Sequence, residues 1–138
     1  MACVRMDRLS AYLAASARRP INYATGWDCA AGFVAGWVEQ ERGVDAAKPW
    51  RGLYASAEEC FALLRASGGL LAVVERASIA AGLGETASPM PGDIGVVSVV
   101  TPDGSNQAAA IRTKIGWALL TPRGLGVFSA PALKAWEV

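Results

Sequence analysis

The chain has 138 residues, of which 53% are hydrophobic and 18% are charged, and its formal net charge is +1. This composition excludes a disordered chain and predicts a single domain, residues 1–138, around one core. The near-neutral charge without a basic stripe argues against a nucleic-acid partner, and no apolar run is long enough to predict membrane insertion. Charged residues near the N-terminus (Arg5, Asp7 and Arg8) do not predict a signal peptide, so we expect a chain made in a reducing cytoplasm.

The helical features of the chain lie in its first half. The spacing of apolar residues predicts a helix over 7–17, followed by a polar loop over 22–26. Asp28 is a good N-cap for a central helix that begins at Cys29 and ends before Gly43. Gly32 and Gly36, four residues apart, predict close packing of a neighbouring element on this helix.

Two further elements precede residue 90, after which the sequence becomes rich in β-branched residues. Residues 49–52 predict a turn, and Ser56 predicts the N-cap of a helix that ends at Gly68 and Gly69. Residues 70–81 fit either a third helix or a strand followed by a loop.

The second half has the pattern of a sheet. β-branched residues predict a buried strand over 94–100, and Asp103 with Gly104 predicts a hairpin turn after it. Short strands are expected over 108–113, 116–120 and 125–128, with an edge strand over 133–138. The fold class is therefore α+β, and we expect the central helix to pack on the sheet through Phe33, Val34 and Trp37 against Ile94, Val96 and Ile111.

The cysteine and histidine content restricts the chemistry. Cys3, Cys29 and Cys60 are an odd number at unrelated spacings, so they do not predict a disulfide framework. Without histidine or a paired-cysteine motif the sequence predicts no zinc site, no other metal and no cofactor. The chain also lacks the histidine base of a Cys-His or Ser-His pair.

Cys29 is the strongest candidate for chemistry. A helix N-terminus favours thiolate over thiol, and its unpaired N–H groups can bind an oxyanion. We therefore expect Cys29 to be more thiolate-like than Cys60, which follows two glutamates. The alternative is that Cys29 is a small structural residue packed under Trp27.

Two stretches carry a family resemblance. Residues 23–34 (YATGWDCAAGFV) resemble the nucleophile motif of the NlpC-type papain-like cell-wall peptidases, and residues 90–97 (MPGDIGVV) resemble that family's entry into its first core strand. Residues 50–54 (WRGLY) and 135–138 (AWEV) are similar to its short, divergent branch in tailed phages and gene transfer agents.

The resemblance implies a papain-like domain with Cys29 at the nucleophile position and with Tyr23, Trp27, Asp28 and Asp93 supporting the site. Active members carry a histidine base on the sheet, and the matching position here is Gln107 or Ala108. Neither side chain is a general base near neutral pH. Asp103 and Lys114, the nearest titratable residues in sequence, are expected to be solvated charges.

Three functions remain open at this level. The first is a catalytically silent, structural or assembly component of a phage-like tail, made in the bacterial cytoplasm and then located at the virion tail tip or hub. The second is a cysteine hydrolase or amidase acting on peptidoglycan with an atypical or partner-supplied base. The third is an unrelated cytosolic binding protein. High apolar content predicts a contact with other tail or hub proteins through some of Trp50, Tyr54, Trp117 and Trp136.

Overall fold

Helices occupy the N-terminal half of the chain and a five-stranded antiparallel sheet the C-terminal half, which confirms the α+β class. The computed structural model describes residues 2–101 and 104–138, without the side chains of residues 2 and 3. Asp103 and the Cys3 side chain therefore lie outside the described part. The helices are α1 (Ala2–Ala17), α2 (Ala35–Arg42), α3 (Ala57–Ala66) and α4 (Leu70–Ala80). The strands are β1 (Ile94–Ser98), β2 (Gln107–Arg112), β3 (Trp117–Thr121), β4 (Gly124–Phe128) and β5 (Ala132–Trp136).

The first helix begins earlier than the apolar pattern predicts, at Ala2 rather than at residue 7. Its first turns are held by Arg5, whose guanidinium donates to the Val138 carbonyl oxygen (2.8 Å) and to Asp93 Oδ1 (3.3 Å). These contacts come from the far end of the chain, so periodicity within the helix could not indicate them.

The central helix starts at Cys29, as predicted, but its first turns are wide. Residues Cys29–Val34 form a π-helix that continues directly into α2, and the Phe33 N–H bonds the Asp28 carbonyl (2.9 Å). Gly43 ends α2 with φ of 72°. Gly32 allows the close approach expected of it, because a Cβ there would lie 2.8 Å from the Gly26 carbonyl oxygen.

Local capping explains the elements that follow. Asn22 caps a 3-10 turn, Tyr23–Thr25, where a loop was predicted. A second 3-10 turn, Lys48–Trp50, occupies the predicted turn region. Ser56 Oγ accepts from the Glu59 N–H (3.1 Å) and caps α3 as expected. The ambiguous segment 70–81 is the helix α4.

The sheet has the strand order β4-β3-β2-β1-β5, so the last strand is an edge strand, as predicted. The expectation of a buried strand over 94–100 is corrected at its end. Pairing with β2 stops at Ser98 opposite Gln107, and Val100 is 95% exposed because no strand lies beside it.

The core forms where the central helix meets the sheet. Phe33, Val34 and Trp37 are buried in one cluster with Ile94, Val96 and Ile111, which confirms the predicted packing. A second buried cluster contains Trp117, whose ring lies against Gly95. Trp117 and Trp136 are 2% and 1% exposed. Neither can serve as the partner contact expected of them, because both are already covered within this chain.

No helix among the described residues combines the length and the apolarity needed to cross a membrane.

Candidate functional site

A cleft of about 780 Å³ lies beside the start of the central helix. Cys29, Tyr23 and Asp28 line it, together with parts of α3 and the neighbouring ends of β2 and β3. Its walls are mostly apolar and include Ile21, Phe61, Leu64, Leu70, Leu119 and Phe128.

The Cys29 thiol is inserted between two strands. Its Sγ lies 3.1 Å from the Ala109 carbonyl oxygen, to which it donates, and accepts from the Leu120 N–H at 3.3 Å. The register of β2 and β3, with Ile111 opposite Ala118, places Ala109 opposite Leu120, yet the strands are no longer paired there. The thiol therefore replaces an inter-strand hydrogen bond by bridging its donor and its acceptor.

This position sets the protonation state of Cys29. Burial raises the pKa of its thiol to about 12, Asp28 adds to the increase, and the Leu120 N–H opposes it. A thiolate would also have no proton to donate to the Ala109 carbonyl oxygen. Burial of the thiol therefore opposes the thiolate character expected at a helix N-terminus, and the comparison with Cys60 stays a prediction.

Asp28 holds the first turn of the helix rather than activating the thiol. It is buried, its Oδ1 accepts from the Ala31 N–H (2.8 Å), and its Oδ2 accepts a short hydrogen bond from the Tyr54 hydroxyl. Burial and then this hydrogen bond raise the pKa of Tyr54. Tyr54, predicted as an interface residue, is half-buried and anchors Asp28. Trp50 is half-buried beside an apolar pocket of about 80 Å³.

Tyr23 and Trp27 support the cleft by packing. The Tyr23 ring lies edge-on to Tyr54 and Phe61, with centroids 6.5 and 6.2 Å away. Trp27 is buried, and its indole N–H donates to the Arg19 carbonyl oxygen (3.0 Å) while the Arg19 guanidinium lies 4.1 Å above the ring. Tyr23 lines the cleft beside Cys29, and Trp27 packs immediately before the start of the central helix.

Asp93 lies at the other end of the sheet, which corrects its predicted place in the site. Its backbone pairs with Arg112, three residues along β2 from Ala109, or roughly 10 Å. Its side chain bonds Arg5 and the N–H groups of Met90 (2.8 Å) and Val138 (3.2 Å). Asp93 therefore joins chain segments remote from the cleft.

The position matched to the missing histidine holds no base. Gln107 Oε1 accepts from the Leu71 N–H (3.3 Å), and Ala108 lines the cleft. Among the described residues lining the cleft, Asp28 is the one carboxylate, and Tyr54 and Ala31 occupy its oxygens. Lys114 is exposed, as expected. Among the side chains that the structure describes, no group is arranged to hold a metal ion.

Two arginines complete the cleft. Arg65 and Arg123 are exposed lining residues, and neither forms an ion pair with a described residue. Sequence reasoning did not single them out, because only the fold brings the end of α3 beside the β3–β4 turn. The backbone groups of Ala109 and Leu120 were equally beyond sequence reasoning.

Fold and site together define an α+β domain with an apolar cleft beside a cysteine that is hydrogen-bonded between two strands. Residues 4–138 match the family model described as Domain of unknown function (DUF6950), and the chain belongs to that family. Neither the curated proteins nor the solved structures that were compared match it.

Proposed function

We propose that this chain is a catalytically silent papain-like domain that acts as a structural or assembly component of a phage-like tail. The observation that supports the absence of catalysis is the position of the Cys29 thiol, which donates a hydrogen bond between β2 and β3. The resemblance of residues 23–34 and 90–97 to the NlpC-type branch supplies the tail context.

Hydrolysis by a cysteine requires a sulfur anion for attack and an acid for the leaving amine. The Cys29 proton is bound to the Ala109 carbonyl oxygen, and no free base faces the thiol from the described residues of the cleft. The full sequence contains no histidine that could do so. General acid–base help is typically worth ~10²–10⁴-fold, so its loss leaves little turnover.

The cleft itself suits a polypeptide from a neighbouring tail or hub protein. Apolar and aromatic walls offer burial for side chains of a partner, and the unpaired Arg65 and Arg123 favour an acidic residue beside them. A segment with apolar and acidic side chains is the partner that these contacts support.

A peptidoglycan hydrolase is the alternative, favoured by the location of Cys29 at a helix start within an accessible cleft. It requires a base from a partner chain. The third hypothesis is an unrelated binding protein, which uses the same cleft but does not belong to a phage-like tail.

The first test distinguishes a catalytically inactive domain from a peptidoglycan hydrolase. Purified protein and its Cys29→Ala variant are incubated with peptidoglycan fragments, and released peptides are quantified by mass spectrometry. We expect equal background from both. Release by the parent that the variant loses would establish the hydrolase, and adding a particle extract checks for a partner-supplied base.

The second test locates the partner. A photo-crosslinking amino acid is placed at Phe61 in the cleft or, as the control, at Ile79, which is 67% exposed on α4. In assembled particles we expect Phe61, and not Ile79, to crosslink to one tail protein. Absence of the chain from purified particles would contradict the tail assignment.

A further inference from the structure

We propose that β4 is a self-pairing edge, through which two copies of this chain join their sheets by antiparallel β4–β4 pairing. The proposal concerns the edge of the sheet; it shares Arg123 and Phe128 with the cleft but assumes nothing about the partner proposed there.

The outward backbone groups of β4 follow from the alternation of the neighbouring strand. The Thr113 N–H donates to the Gly116 carbonyl oxygen (2.7 Å), so Gly116 faces β2 and alternate residues of β3 face β4. The β3 residues that face β4 are Trp117, Leu119 and Thr121, opposite Phe128, Gly126 and Gly124. Leu125 and Val127 therefore point their N–H and C=O groups away from the sheet. No hydrogen bond joins these groups to any described residue.

The opposite edge of the sheet is protected. Residues beside β5 cover it, with the Thr86 N–H donating to the Ala135 carbonyl oxygen (2.9 Å) and the Glu137 N–H to Gly84 (2.8 Å). Lys134 in β5 also carries a charge, paired with Glu75 at 2.9 Å. Residues that cover a strand edge, and charged side chains on it, prevent association with the edge of another sheet. The sequence of β4, Gly-Leu-Gly-Val-Phe, carries no charge, and Val127 and Phe128 are 43% and 42% exposed. Helix α1 packs beside β4, but no hydrogen bond from a described residue of α1 reaches the outward groups of Leu125 and Val127.

The edge is complementary to itself. A two-fold axis at Gly126 places Leu125 of each copy opposite Val127 of the other, so that all the outward groups become paired. The same register sets Phe128 beside Gly124 of the other copy, while the Phe128 ring packs over Gly126 of its own strand. Arg123 meets Ser129, so no like charges face one another.

The contact is small. Two five-residue strands bury less surface than the ~1,200 Å² of a stable interface, so we expect a dissociation constant on the order of 0.1–1 mM. Such a contact matters where copies are held at high local concentration, as in an assembly.

Sedimentation equilibrium of the full chain over a concentration series tests the proposal. We expect a monomer–dimer equilibrium that Val127→Lys weakens at least about tenfold, because the ammonium group lies at the new strand pair. Leu133→Lys is the matched control, since Leu133 is 44% exposed on the protected edge strand, and it should leave the equilibrium unchanged.

A second variant guards against misfolding. Val127→Pro removes an outward N–H without removing a bond to β3, and it should abolish dimerisation while circular dichroism stays that of the parent. In the parent, hydrogen exchange at Leu125 and Val127 should slow as concentration rises. A monomer throughout the series, or dimerisation that responds to Leu133→Lys and not to Val127→Lys, overturns the proposal.

Discussion

At the scale of single residues, Cys29 performs a task that differs from the one its position in the sequence predicts. A thiol can donate one hydrogen bond and accept another, and Cys29 does both between Ala109 and Leu120. Burial of the side chain between β2 and β3 raises the pKa of the thiol, although the Leu120 N–H opposes the increase. Structural use of the side chain and nucleophilic use of it are therefore mutually exclusive.

Replacing Cys29 should measure the bridge. Cys29→Ala leaves the Ala109 carbonyl and the Leu120 N–H without their partner and should lower the free energy of unfolding by about 1–3 kcal/mol. Cys29→Ser retains a donor and an acceptor and should lose less. Urea denaturation of the three proteins gives the comparison. An alanine variant as stable as the parent would show that the bridge contributes nothing.

The raised pKa of Cys29 also predicts alkaline destabilisation. The folded thiol keeps its proton up to a pKa of about 12, whereas an ordinary thiol loses it near 9. The unfolded chain therefore releases the proton first, and the free energy of unfolding should fall as pH rises from about 9 to 12, by up to about 1.4 kcal/mol per pH unit.

Urea denaturation between pH 7 and 11 measures this dependence. The half-buried Tyr12 and Tyr54 also have raised pKa values and act in the same direction, so the readout is the difference between the parent and Cys29→Ser, in which their effect cancels. Identical pH profiles for the two proteins would contradict a raised thiol pKa.

At the scale of elements, the wide first turns of the central helix depend on Gly32. A Cβ there would lie 2.8 Å from the Gly26 carbonyl oxygen and 2.8 Å from the Trp27 Cα, and backbone atoms cannot move aside as a flexible side chain can. The cleft and the helix start thus share one close packing contact, and Cys29 is positioned by it.

Gly32→Ala should destabilise the protein by about 1–3 kcal/mol, because overpacking exceeds the gain in helix propensity. Gly84→Ala is the control, since a Cβ at Gly84 meets nothing within 4 Å, and it should change stability by less than about 0.5 kcal/mol. Thermal denaturation of both variants measures the contrast. Equal midpoints would mean that the helix start can move away from residues 26 and 27.

At the scale of the whole molecule, Asp93 joins the two ends of the chain to the sheet. Its carboxylate bonds Arg5 of α1 and the Val138 N–H beyond β5, while Trp37 of α2 donates to the adjacent Gly92 carbonyl at 2.7 Å. Asp93 and Trp37 are buried, Arg5 is partly exposed, and the network lies away from the cleft, so its role is to fix the fold.

Asp93→Ala should lower the free energy of unfolding by about 2–3 kcal/mol, because it leaves the N–H groups of Met90 and Val138 and the partly exposed Arg5 without this acceptor. Asp45→Ala removes a surface pair, Arg51–Asp45 at 2.7 Å, and should cost about 1 kcal/mol or less. Guanidinium denaturation measures both. The folded Asp93→Ala protein should keep the Phe61 crosslink. Loss of that crosslink in a folded variant would show that Asp93 supports the cleft.

The order of elements could be predicted from local chemistry. Asp28 and Ser56 are caps whose side chains bond N–H groups within three residues, and the turn between β3 and β4, where the Thr121 hydroxyl donates to the Gly124 carbonyl oxygen, is equally local. The start of the central helix and the predicted core of Phe33, Trp37 and Ile111 follow from such signals. The absence of histidine was likewise a property of the sequence alone.

Long-range contacts decided the rest. The state of Cys29 depends on backbone groups of residues 109 and 120, which no pattern around residue 29 encodes. The burial of Trp117 and Trp136, the separation of Asp93 from the cleft and the pairing of Tyr54 with Asp28 depend in the same way on which surfaces meet. Local sequence determines which groups a segment presents, whereas the tertiary structure determines which of them water can reach, and that sets the charge on a thiol.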